Sequence, residues 1–340
     1  MKLFRKIAFY LYLLVATLSL VLVIIYLINS YGRFSREANF EATNNSFNKY
    51  YLGFQKTDTS FTSLFTVPPD IAVDFINLSE SQYGLSNIKS KAIQISRDEI
   101  QLLDKLVKNW PLKFQEITRH NLLAIYIVDS ARFNGLTQII NPATDKFIII
   151  LNAKLFHTKP NEWITIEATK CLQKEFRDKI KYSLFSEDQN IPVRTVEHVL
   201  LHEYAHIFSF INHEAPLPGD WFSDKSGYFP LIESCYNGGY ISYETKKEGL
   251  ENLELLSKNS QDNPEKLTLE AFKELNKRLV NSPFPTGYST KNGSELVAET
   301  FTLYIHQKYF NQVFSLAIEG ESPIVFAQKI DTVYVGKLLK

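Results

Sequence analysis

Residues 202–206 read His202-Glu203-Tyr204-Ala205-His206, two histidines four positions apart with a glutamate directly after the first. On a helix, positions i and i+4 lie one turn apart on one face, so both imidazoles can reach a single ion while Glu203 stands beside them to accept a proton. The flanks suit a buried helix, with Val199, Leu200 and Leu201 before the motif and Ile207 and Phe208 after it. This HExxH pattern is the one that holds Zn2+ and a general base for peptide hydrolysis. The bland alternative is a helix carrying two histidines that merely pack or face solvent. His198, one turn earlier, is expected to pack near the site rather than bind metal, because three ligands on one helix would leave no position for water.

A catalytic zinc normally keeps three protein ligands and one open position, so a third ligand must lie elsewhere. His213 falls one residue late for the pattern in which the third histidine follows ten residues after the first, a place Asn212 occupies here. Ser209 also stands where that pattern needs a glycine. Glu233, in Leu231-Ile232-Glu233-Ser234, lies at a workable distance without a supporting motif. Glu295 and Glu299 sit one turn apart in Glu295-Leu296-Val297-Ala298-Glu299, and one of them is expected to reach the metal.

The stretch Tyr288-Ser289-Thr290-Lys291-Asn292-Gly293-Ser294-Glu295-Leu296-Val297-Ala298-Glu299-Thr300-Phe301 resembles the second motif of the anthrax lethal-factor-type metallopeptidases, a gluzincin family. In that family a tyrosine lies seven residues before a zinc-binding glutamate, and an Ala-Glu pair follows one turn later. The resemblance implies that His202, His206 and Glu295 are the zinc ligands and Glu203 the general base. It also implies that Tyr288 faces the tetrahedral intermediate and that Glu299 supports the ligands from behind. It spans His202 to about Gln307 and does not extend to that family's partner-binding domains, so it implies nothing about toxin behaviour or substrates. Leu296-Val297 departs from the more usual aromatic or acidic pair.

The elements that must position these groups are legible in part. Ile100, Leu103, Leu106 and Val107 recur at helical spacing from Arg97 to Val107, and a helix is expected there before Pro111. The apolar runs Leu122 to Val128 and Phe147 to Leu151 read as strands, the second a candidate cleft edge near Asn152. Pro192 suits a first-turn position, which predicts a helix from there to about Ile211. Helices are further expected over Lys246–Lys258, Glu265–Val280 and Ser294–Tyr309, with Ser294 as a cap. Strands followed by many helices imply an α+β fold, mostly helical with a small sheet. With the resemblance this becomes a zincin-like metallopeptidase domain over residues 91–340.

Lys2, Arg5 and Lys6 precede an uncharged apolar run from Ile7 to Ile28. As a helix rising ~1.5 Å per residue the run covers roughly 33 Å, enough for a hydrocarbon core of ~30 Å. A cleaved signal peptide has a shorter apolar region and an A-x-A-like site, which Asn29-Ser30-Tyr31 does not offer. The expectation is a single-pass protein: residues 1–6 as a cytoplasmic tail, 7–28 as one transmembrane helix, and 29–90 as an irregular stalk and lead-in. The basic residues at the start favour a catalytic domain outside the cytoplasm, although Arg33 and Arg36 partly balance them.

Lysine plus arginine equals aspartate plus glutamate at 37 each, so no basic field exists to hold nucleic acid. Cys171 and Cys235 lack the CxxC spacing of a structural zinc site and are expected either as buried thiols or as one disulfide. The expected activity is a membrane-anchored zinc endopeptidase acting on a peptide or protein substrate. The competing classes are a cell-wall peptide amidase and a non-catalytic binding protein that keeps a zincin-like fold; the intact Glu203 speaks against the latter.

Overall fold

The computed structural model describes residues 43, 45–51, 58, 60–82, 89–129, 133–141, 145–212, 235, 250–257, 266–326 and 332–339. The chain forms two compact units, residues 1–53 with 69–90 and residues 54–68 with 91–340.

In the first unit, helix α1 (Asp70–Gln82) lies inside the stretch expected to be irregular. Pro69 starts it by accepting bonds from the backbone of Ala72 and Val73, and Phe75 buries its ring in stacked contact with Phe47 at 4.5 Å. Its polar residues fall between apolar ones closely enough to blur the helical period, so only Pro68-Pro69-Asp70 signals its start.

The second unit is built on a four-stranded sheet. Strand β1 (Lys91–Ala92) is followed by helices α2 (Arg97–Val107) and α3 (Leu112–His120), then β2 (Leu122–Asp129), β3 (Gly135–Asn141) and β4 (Lys146–Asn152). Ser96 and Glu99 close a capping box on α2, which fixes its start where the sequence predicts it. The strand order is β1-β2-β4-β3, with β2 and β4 parallel in the middle and antiparallel strands outside. The central pair is buried along nearly its whole length, which is why both strands read as continuous apolar runs. The edges of the sheet are therefore β1 and β3, and the Phe147 to Leu151 run expected at a cleft edge near Asn152 is an inner strand. Asn152 faces inward, donating its side-chain amide to Phe133 O at 3.0 Å.

Beyond the sheet come α4 (Pro160–Ala168), β5 (Ile180–Ser183), α5 (Pro192–Ile211), α6 (Leu269–Val280) and α7 (Gly293–Phe310). Strands β6 (Ser315–Ile318) and β7 (Ile324–Val325) join β5 in a second, antiparallel sheet, and α8 (Thr332–Leu338) follows. Thr268 caps α6 later than the predicted start at Glu265. Of the helix expected over 246–258, the described residues hold a 3-10 turn at Leu253–Leu256.

The α+β class with mostly helices holds, but the transmembrane part of the expected fold class is corrected. Among the described residues no helix is long and apolar enough to cross a membrane. The two longest, α5 and α7, carry Arg194, Glu197 and Glu203 or Glu295, Glu299 and Lys308, and bury their apolar surface inside the domain. Residues 7–28, where the anchor was expected, lie outside the described residues, as do His213 and Glu233. Cys171 and Cys235 are both reduced and buried.

Candidate metal centre

Helix α5 runs through the middle of the core. Pro192 occupies its first turn, where a missing N–H costs no helical bond. The side away from the site is locked by aromatic packing. Tyr204 is wedged against Trp110 and Phe114, with ring centroids 5.1 and 6.2 Å away, and its hydroxyl bonds Thr118 Oγ1 at 2.8 Å. Phe208 packs on Phe301 of α7 at 5.0 Å. Glu197 is held by Arg194 at 2.6 Å and by the Trp110 indole N–H at 3.3 Å, although burial pushes its carboxyl above the ordinary range. These contacts fix the rotation of α5 about its axis, and so where residues 202, 203 and 206 point.

Helix α7 supplies the facing groups. Its cap is Asn292, whose side chain accepts from Glu295 N at 2.9 Å; the expected cap, Ser294, sits inside the first turn because the helix begins at Gly293. Just before it, the 3-10 turn Tyr288–Thr290 is pinned by bonds between Ser289 and Thr286 and from Thr290 to Leu253 O. The spacing of the turn and the helix delivers Tyr288, Glu295 and Glu299 to α5 together.

Three ligand atoms converge. Glu295 Oε2 lies 3.1 Å from His202 Nε2 and 3.4 Å from His206 Nε2, and the two imidazole nitrogens are 3.1 Å apart. Zinc bonds of ~2.0–2.2 Å place tetrahedral ligands roughly 3.3–3.6 Å from one another, so this triangle is close to the size a zinc ion requires. The remaining ring nitrogens are engaged from behind. His202 Nδ1 donates to Glu299 Oε1 at 2.8 Å, and Glu299 Oε2 accepts from Thr286 Oγ1 at 2.7 Å. His206 Nδ1 faces Ser294 Oγ at 3.1 Å. With both Nδ1 atoms engaged from behind, an ion that displaces any Nε2 proton meets both Nε2 lone pairs in the triangle, the tautomer that metal binding needs.

The electrostatics favour a cation at this point. Burial alone would lower the His202 pKa, but the Glu295 and Glu299 carboxylates hold it well above the ordinary imidazole range. Glu295 itself, despite burial, is pulled well below the carboxylate range by Lys291, His202 and His206. Burial likewise opposes the lowering of Glu299, which comes from His202 and Thr286.

Tyr288 donates its hydroxyl to Glu295 Oε1 at 3.1 Å, the oxygen turned away from the histidines. Lys291 reaches the same place, 3.2 Å from the Tyr288 hydroxyl and 3.4 Å from Glu295 Oε1. The tyrosine is 42% exposed as a residue while its hydroxyl points inward. Burial of that hydroxyl and the Glu295 carboxylate push its pKa well up, keeping it a donor at neutral pH. Glu203 is buried beside the triangle, and Thr137 of β3 donates to its Oε2 at 2.6 Å.

His198 turns away from the triangle. Gln312 donates to Gln189 at 2.9 Å, which leaves its oxygen to accept from His306 Nδ1 at 2.6 Å; His306 Nε2 then accepts from His198 Nδ1 at 3.0 Å. Both rings are neutral, His198 pushed down to about 4 and His306 also well down, each chiefly by burial. The packing role expected of His198 is the one it has.

The six site residues expected from sequence, His202, Glu203, His206, Tyr288, Glu295 and Glu299, are thus brought together. Thr137, Thr286, Ser294 and Lys291 join them without having been expected. Lys291, four residues before Glu295, could have been found from helical spacing; nothing in the sequence singles out the two threonines. No family model, no curated protein and no solved structure matches this chain.

Proposed function

We propose that the protein is a zinc-dependent endopeptidase of the gluzincin type, with His202, His206 and Glu295 as metal ligands. The observation that carries the reading is the convergence of the Glu295 carboxylate on two imidazole Nε2 atoms from a helix 93 positions away in sequence, with Glu299 behind His202. A helix with two unrelated histidines has no reason to meet two carboxylates in this arrangement, since burying them costs free energy unless charge is balanced.

Bound zinc would supply water activation near neutral pH and polarisation of a carbonyl. Glu203 accepts a proton from the attacking water and passes it to the leaving amine, which requires a buried carboxylate beside the ligands but not among them. Tyr288 donates its hydroxyl to the negative charge that develops on the substrate carbonyl oxygen. To do so it exchanges its bond to Glu295 Oε1 for one to substrate, and Lys291 remains to hold that glutamate oxygen. Glu299 and Ser294 keep the two imidazoles in the required tautomer and orientation.

Elemental analysis and peptide cleavage by wild type and Glu203→Gln test the reading. The expected result is about one zinc per chain in both proteins and hydrolysis only in wild type. Zinc without hydrolysis in wild type, over a diverse peptide library, would leave a metal-binding protein and remove the peptidase assignment.

A further inference from the structure

The sheet edge comes down on the base. Residues 135 and 137 of β3 share one face of the strand, opposite Leu151 and Ile149 in the β4 register. Thr137 Oγ1 lies 2.6 Å from Glu203 Oε2 and 3.1 Å from Glu203 O. A hydroxyl has one proton, and the shorter contact to the charged acceptor takes it. At position 135 an added Cβ would stand 2.4 Å from Glu203 Oε1 and 2.7 Å from Val199 Cγ1, so any larger residue would push the Glu203 carboxylate from its place.

The geometry points to Thr137 and Gly135 as positioning residues for the Glu203 base, an assignment that rests on the peptidase reading above. The threonine fixes one carboxylate oxygen by a charge-assisted bond, and the glycine leaves room for the other. Glu203 then presents one oxygen, Oε1, in one rotamer, so the atom that takes the water proton is set before substrate arrives. A general base held this way needs no reorganisation at the moment of proton transfer, which is how orientation lowers a barrier. The base is therefore governed by the strand edge as well as by its own helix. A slip of β3 by one residue would turn the threonine to the opposite face and release it.

The test uses the full chain with wild type, Glu203→Gln, Thr137→Val and Thr137→Ser, on an internally quenched decapeptide selected from a mixed library. Valine keeps the shape and the strand preference while losing the hydroxyl; serine restores the hydroxyl. Zinc content and melting temperature are measured on each protein, and Thr137→Ala replaces the valine variant should that melt early. The expected result for Thr137→Val is a kcat lower by about ten- to a hundredfold with KM little changed, zinc and melting temperature as in wild type. Serine should recover most of the lost kcat. Wild-type kcat in Thr137→Val, a loss confined to KM, or loss of zinc would each overturn the positioning role while Glu203→Gln remains inactive. Wild type as inactive as Glu203→Gln would remove the peptidase reading and this assignment with it.

Discussion

Glu299 and His202 are joined by a 2.8 Å hydrogen bond from the ring Nδ1 to a carboxylate that is itself held by Thr286. A carboxylate placed behind a ligating imidazole fixes its tautomer and raises its basicity. Glu299→Ala should therefore weaken zinc binding by about 10- to 100-fold. Glu299→Gln, which can still accept from Nδ1 through its amide oxygen, should lose less. Competition with a calibrated chelator measures both, and equal affinity in Glu299→Ala and wild type would make the carboxylate a bystander.

Tyr288 touches the outer oxygen of Glu295 and not either histidine nitrogen, so it is not needed to retain the ion. Tyr288→Phe should keep about one zinc per chain and lose roughly a hundredfold in kcat, the usual cost of one oxyanion donor. Lys291→Met should act differently, because the ammonium neighbours both the phenol and the glutamate: zinc affinity and kcat should fall together. Steady-state kinetics with parallel metal analysis separates the two patterns.

The neutral His198–His306 pair makes a pH prediction. An unfolded histidine titrates near 6.5, whereas burial holds His198 at about 4 in the fold. The folded pKa is depressed, so the contribution is fully present above pH 6.5 and is lost as pH falls toward and through about 4. The gap corresponds to about 3 kcal/mol for this ring. Urea unfolding of chelator-stripped wild type and His198→Asn at pH 7.5, 5.5 and 4.5 reads it as a difference in slope. His202, raised well above the ordinary range by its carboxylates, contributes a slope of opposite sign in both proteins. Parallel slopes would show that His198 protonates as readily folded as unfolded.

How much of this was legible in the sequence depended on whether a signal was local. The HExxH helix was readable because ligand spacing, an apolar surround and Pro192 all act within one helix. The buried strands β2 and β4 were readable as apolar runs, while β3, with Gly135, Thr137, Gln138 and Asn141 among its seven residues, was not. An edge strand needs no apolar alternation when one rim faces solvent and its functional positions are polar. The small sheet β5-β6-β7 was missed for a related reason: its strands are two to four residues long, and β5 pairs with β6 across more than a hundred positions. Thr137 and Thr286 act through tertiary contacts over 66 and 13 positions, and an ordinary threonine carries no mark of either.

Asn292 and Ser294 yield the last prediction, because the sequence assigned to the serine a task the asparagine performs. Asn292 accepts from Glu295 N and so satisfies one of the open N–H groups at the start of α7, that of the residue proposed as the third metal ligand. Removing such a cap costs about 1 kcal/mol. Ser294 makes no cap; its hydroxyl faces His206 Nδ1 at 3.1 Å. Asn292→Ala should therefore lower the stability of the metal-free protein by about 1 kcal/mol, whereas Ser294→Ala should leave that stability within roughly 0.5 kcal/mol. Zinc affinity should follow the other order. Ser294→Ala removes the partner that orients His206 and should weaken binding by about tenfold or more. Asn292→Asp, which caps equally well, should restore stability. Denaturant unfolding with and without chelator, combined with competitive zinc titration, measures both quantities. A stability loss in Ser294→Ala equal to that of Asn292→Ala would return the cap to the serine and shift the start of α7 by one or two residues.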